Sequence, residues 1–142
     1  MKINFQNLEK KLKIRFKNKS LLKQSLTHKS FDKINNNEKI EFLWDRVLGL
    51  VIAKKLLEIY PNEKEGILDK KFASLVNRNT CLEIAKTIEL DKYILTFDQK
   101  RKNSIEDKVI ADSCEALIGG IYLDKCFNFN EIIIMNLWNT HI

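Results

Sequence analysis

Five carboxylates stand in the most apolar stretches of the chain, at positions where core side chains belong. Glu38, Glu41 and Asp45 lie in EKIEFLWDRVLGLVIAKKLLEIY, and Asp112 and Glu115 lie in VIADSCEALIGGIYL. On a helix turning 100° per residue, the first three fall within an arc of about 60°, and the second pair, at i and i+3, also shares a face. Like charges at this spacing cost an isolated helix roughly 0.2–0.5 kcal/mol per pair. A carboxylate in apolar surroundings must take up a proton, find a basic partner or bind a cation. Acids gathered from two helices favour the cation, and an all-oxygen donor set selects Mg2+ or Mn2+ over zinc. Hard ions held in this way hydrolyse phosphodiesters by polarising the phosphoryl oxygen and activating water. The competing reading is a helical scaffold whose acids pair with Lys39, Lys108 or Arg46.

The elements that position these acids are expected to be helices. A chain of 142 residues, 44% apolar and 31% charged, fits one domain with one core over 1–142. Four glycines and one proline are too few for a turn-rich sandwich, and no strand-like alternation persists, so the fold class is all-α. The spacing of Phe5, Leu8 and Leu12, then of Leu21, Leu22 and Leu26, predicts two short opening helices, with Asn18 or Ser20 as N-cap of the second. FDKINNNEK reads as a polar loop, because consecutive asparagines suit turns and disfavour helix interiors. A long helix over 38–60 stops at Pro61, and further helices are predicted over 67–78 and 80–89. The polar stretch 98–103 breaks the pattern before a second long helix over 104–123 and a closing one over 129–138. Two long central helices thus carry the acidic motifs.

Charge is segregated along the chain. Residues 1–33 hold ten Lys/Arg against Glu9 and Asp32, a net +8, although the whole chain is only +6. Such a segment suits a polyanion, either nucleic acid or an acidic membrane surface, or is simply a solvated lysine-rich face. Cys81, Cys114 and Cys126 are odd in number and lack CxxC spacing, so they are expected to be buried thiols in a reducing compartment, without disulfide or zinc. The polar start MKINFQNLEKK and the lack of any apolar run near 18–20 residues point to a cytoplasmic protein with no membrane association.

At this point the sequence resembles the endonuclease domain of the ribonuclease III family, in its bacterial form. NEKIEFLWD at 37–45 is similar to the family signature NERLEFLGD, and IADSCEALIG at 110–119 is similar to its second acidic motif, ADxxEALIG. THKS at 27–30, Tyr60-Pro61 with Glu65-Gly66, ASLVN at 73–77 and IYLD at 121–124 follow in the family's order and spacing, so the resemblance covers nearly the whole chain. It implies that Glu41, Asp45, Asp112 and Glu115 form a metal-binding cluster, with Asp45 and Glu115 catalytic, and that Glu38 and Glu65 are auxiliary acids. It further implies Mg2+ as cofactor, replaceable by Mn2+, and a homodimer whose acid-lined valley cuts double-stranded RNA to 5′-phosphate and 3′-hydroxyl ends in rRNA and mRNA precursor processing. Phe42 matches an aromatic that packs into the opposite subunit. His28, Lys29 and Arg46 are candidate RNA contacts. For His28 the alternative is a structural hydrogen bond, and for Arg46 it is neutralisation of an acid.

Two departures bear on activity. Trp44 stands where the signature has glycine, and an indole there demands about 150–250 Å2 of extra burial. Trp44 is therefore expected to disturb dimer packing or cluster geometry, which keeps open a catalytically weakened or silent member of the family that binds RNA or a protein. The double-stranded-RNA-binding domain that usually follows is absent from the 142 residues, so affinity is expected to rest on the valley and the basic amino-terminal segment. Phe72 also replaces a commonly basic position, which reduces the expected contact with RNA.

Overall fold

The computed structural model describes residues 3–97 and 105–142. Among these residues the chain forms seven α-helices and no strand: α1 (Phe5–Leu12), α2 (Lys19–Ser25), α3 (Glu38–Ile59), α4 (Glu65–Val76), α5 (Arg78–Thr87), α6 (Asp107–Lys125) and α7 (Phe127–Trp138). The all-α expectation and the two long central helices hold. A 3-10 turn at Leu90–Tyr93, not anticipated, follows α5. The predicted breaker at 98–103 lies outside the described residues.

Helix ends follow local chemistry. Asn18 caps α2, its side-chain oxygen accepting the Leu21 N–H at 3.2 Å, and Asn77 caps α5 through the Thr80 N–H at 2.9 Å. The triple asparagine is an organised turn. Asp32 accepts the N–H groups of Ile34 and Asn35, and Asn36 accepts that of Glu38 in the first turn of α3. Helix α4 begins at Glu65 and α5 at Arg78, each two residues earlier than the apolar spacing predicts, because apolar periodicity registers only once a helix has turned toward the core.

The core lies between α3 and α6, with α4, α5, α2 and α7 packed around them. Ile40, Trp44, Val47, Leu48, Val51, Ile52 and Leu56 form the inward face of α3. Two glycines on α6 let neighbouring helices approach closely. A Cβ on Gly119 would sit 2.6 Å from the Ile40 carbonyl oxygen of α3, and one on Gly120 would run into the Ser25 hydroxyl of α2.

Trp44 turns into this core. It is fully buried, with its ring centroid 5.6 Å from that of Trp138 on α7, and the Trp138 indole N–H donates to the Leu75 carbonyl of α4 at 2.8 Å. Within one chain the indole is thus accommodated between α3 and α7, beside the Trp138 ring. Cys126, expected to be buried, is exposed at the α6–α7 junction, because the backbone there leaves one helix at φ 102° before entering the next.

Candidate metal centre

Glu41 comes from α3, and Asp112 and Glu115 come from one face of α6. Carboxylate oxygens of these three residues lie within 4.8 Å of one another, and each residue is half-buried. The tight crossing at Gly119 brings the two helices together at Ile40, the residue beside Glu41. Burial is the main force raising the proton affinity of all three. With help from Asp112 and Asp45 it pushes Glu41 up to about 7, and with Glu41, Asp112 and Asp45 it pushes Glu115 up to about 8. Asp112 is also raised by burial, against the opposing pull of Lys108, Arg78, His28 and Lys29. Three crowded oxygen donors at this spacing suit a hard divalent cation, which would relieve the repulsion that protons otherwise relieve.

The other expected site residues are distributed as follows. Asp45 sits one turn after Glu41, exposed and outside the compact triad, yet near enough to raise both Glu41 and Glu115. Glu38 is at the rim, with its carboxylate 3.3 Å from the Lys29 ammonium. Glu65 is exposed at the start of α4 and is not among the residues lining the cleft. Among the described residues Arg46 forms no ion pair with an acid: its guanidinium lies 4.0 Å above the Phe42 ring and donates to the Phe42 carbonyl. Phe42 itself is 66% exposed. The buried thiols of Cys81 and Cys114 are pushed up, Cys81 to about 12, mainly by burial, which makes them poor nucleophiles.

Beside the triad opens a cleft of about 730 Å3. Its floor includes Glu41 and Asp112, and its walls include His28, Lys29, Lys108, Arg78 and Thr96. A single parallel bridge between Thr27 and Leu95 fixes this wall. The His28 N–H donates to the Leu95 carbonyl, the Asn37 N–H to the Thr27 carbonyl, and the His28 ring Nδ1 lies 2.8 Å from the Ser30 hydroxyl. His28 therefore holds a structural hydrogen bond while lining the cleft. Arg78 and Thr96 were not singled out by sequence reasoning, since neither lies in an acidic motif and only the folded chain brings them to the cleft.

A family model described as ribonuclease-III-like matches residues 18–140. The chain belongs to the ribonuclease-III-like family. Curated ribonuclease 3 proteins share this domain. The Pelagibacter ubique protein is 68% identical over 143 residues, covering 100% of this chain and 64% of that protein, and the Aliarcobacter butzleri protein is 40% identical, covering 94% and 61%. The chain thus spans just under two thirds of the length of these relatives. The ribonuclease-III-like fold is shared with a crystal structure of the nuclease domain of ribonuclease III from Campylobacter jejuni, at TM-score 0.91 and 38% identity over 100% of this chain and 97% of that one. Dicer from Pichia stipitis matches at TM-score 0.68 and 26% identity, over 89% of this chain and 56% of that one.

Proposed function

We propose that this domain is a metal-dependent endoribonuclease that hydrolyses phosphodiester bonds of double-stranded RNA, leaving 5′-phosphate and 3′-hydroxyl ends. The observation that carries this reading is the crossing of α3 and α6, which gathers the Glu41, Asp112 and Glu115 carboxylates within 4.8 Å at the edge of an open cleft with cationic walls. These three residues would hold Mg2+, or Mn2+ in its place, with Asp45 adding charge one turn away. When bound, the ion supplies charge stabilisation at the phosphoryl oxygen and a more acidic water.

The chain's own residues do the rest. Without an ion, burial and mutual repulsion raise Glu41 to about 7 and Glu115 to about 8, and burial also raises Asp112, so the three would release protons and act as carboxylates when a cation arrives between them. Lys29, held to Glu38, and Lys108 offer positive charge to a phosphate backbone approaching the cleft, and the basic segment 1–33 extends that attraction.

We assign the dimer surface to the outer stripe of α3. Phe42, Arg46, Leu50 and Leu57 fall within an arc of about 80°, and Phe42, Leu50 and Leu57 are 66%, 58% and 61% exposed. A nuclease domain from Campylobacter jejuni, 37% identical, is described as having a region involved in dimer formation. No helix among the described residues is long and apolar enough to cross a membrane, and RNA precursor processing in the cytoplasm fits the family. The silent alternative is less favoured, because Trp44 is fully buried against Trp138 while the three carboxylates still gather.

The deciding experiment combines size-exclusion chromatography with cleavage of a long RNA duplex in Mg2+. A dimer whose cleavage is abolished by EDTA and by Glu115→Gln supports the reading. A monomer, or a chain that binds duplex without yielding products even in Mn2+, rejects it.

A further inference from the structure

Arg78 faces the acid cluster across the cleft without a direct bond to any of its members among the described residues. It is the first residue of α5, where the helix dipole presents positive charge, and no acidic side chain stands in that first turn to balance it. Among the described residues its guanidinium forms no hydrogen bond or ion pair, although it lines the same cleft as Glu41 and Asp112. Its charge is felt by Asp112 and Glu115, whereas that of Lys108 is felt by Glu41 and Asp112. The two cations share Asp112 and both line the cleft. A second unsatisfied group lines this cleft: Thr96 is only 6% exposed, and its hydroxyl has no hydrogen-bond partner. A buried hydroxyl without a partner costs stability unless a ligand completes it. A ligand rich in anionic oxygens satisfies both groups at once.

We propose that Arg78 is a substrate-contacting residue, taking phosphate oxygens of an RNA strand lying in the cleft, with the Thr96 hydroxyl as an auxiliary donor; this rests on the nuclease reading above. The planar guanidinium can grip two oxygens of one phosphate and so fix the strand's position over the acids. Removing it relieves the repulsion at the start of its helix but loses the attraction to Asp112 and Glu115, two opposed effects, so the thermal midpoint in Mg2+ should change little. Loss of a neighbouring positive charge should also tighten, not weaken, the response of the triad to Mg2+.

The test measures cleavage of a synthetic RNA duplex by the parent chain, Arg78→Ala, Arg78→Lys and Glu115→Gln over a range of salt concentrations, together with melting curves in Mg2+. Expected for Arg78→Ala are a loss of about tenfold or more in kcat/KM, a salt dependence shallower by about one charge, and an intact thermal response to Mg2+. Arg78→Lys should recover part of the rate, since it keeps the charge but not the fork. Cleavage by Arg78→Ala within about twofold of the parent at every salt concentration would overturn the assignment and leave the nuclease reading standing. A lowered melting point, with no recovery in Arg78→Lys, would also overturn it by making the role structural. A parent chain no more active than Glu115→Gln would remove both.

Discussion

The Gly119 Cα hydrogens face the Ile40 carbonyl so closely that a methyl group placed there would lie 2.6 Å from that oxygen. Ile40 precedes Glu41, and Gly119 is one turn beyond Glu115, so this contact sets how near the α3 acid comes to the two α6 acids. Gly119→Ala should push α3 outward at a cost of about 1–3 kcal/mol. It should also weaken Mg2+ binding by roughly tenfold or more, since ligand spacing tolerates little error. Leu22→Ala, a core truncation on α2, serves as the matched control: it should lower the melting temperature and leave the Mg2+ midpoint, read by calorimetry, in place.

Trp44→Gly, which would restore the family residue, should be harmful in this chain. Removing a fully buried indole leaves a cavity against Trp138 and adds glycine to a helix interior, a combined cost of about 4–6 kcal/mol. Thermal unfolding should show a loss on that scale, and Trp44→Phe a much smaller one. A neutral effect of Trp44→Gly would mean that the two tryptophans do not share the packing described.

The metal-free protein should lose stability as pH rises from about 5 to about 8. Glu41 and Glu115 bind protons more tightly folded than unfolded, with values raised from 4.5 to about 7 and about 8, so their protonated forms stabilise the fold fully below the unfolded value. That contribution disappears as pH climbs through the folded values. Melting in EDTA across this range should show the decline, and saturating Mg2+ should flatten it. A melting temperature independent of pH in EDTA would contradict the crowding of the three carboxylates.

Glu115→Gln should separate stability from metal binding. Burial and its acidic neighbours push its carboxylate up to about 8, so the neutral amide should raise the melting temperature of the metal-free protein near pH 8. The same variant should lose most of the thermal gain that Mg2+ gives the parent, because stabilisation by a native-state ligand follows its affinity.

Phe42→Glu should convert a dimer to a monomer without unfolding it. The ring is largely exposed and contacts chiefly Arg46, so a charge there costs the monomer little, whereas a like charge from each copy at a shared interface opposes association. Light scattering with circular dichroism would show both effects. A variant with the parent's mass would place the interface elsewhere.

Much of this architecture was legible in the residues. The long apolar helices, the Asn18 cap and the acids misplaced among core residues all follow from periodicity and side-chain chemistry, which are local. The direction of Trp44 was not, since its partner Trp138 is nearly a hundred positions away and only packing brings the two rings together. The same limit hid Arg78 and Thr96, which reach the cleft from segments without any acidic motif. It also left Asp45 assigned to a compact cluster that, in the structure, takes its closest members from Glu41, Asp112 and Glu115.

Asp124, near the end of α6, accepts the backbone N–H groups of Lys17 and Asn18 at 2.8 and 2.9 Å, fastening the entry to α2 onto the helix that carries Asp112 and Glu115. The basic stretch that enters α2 is therefore pinned to α6, and its positive charge is held in fixed orientation to the acidic centre. A body with such a permanent electrical polarity experiences a torque near a polyanion, so long-range attraction would turn the molecule before any surface touches.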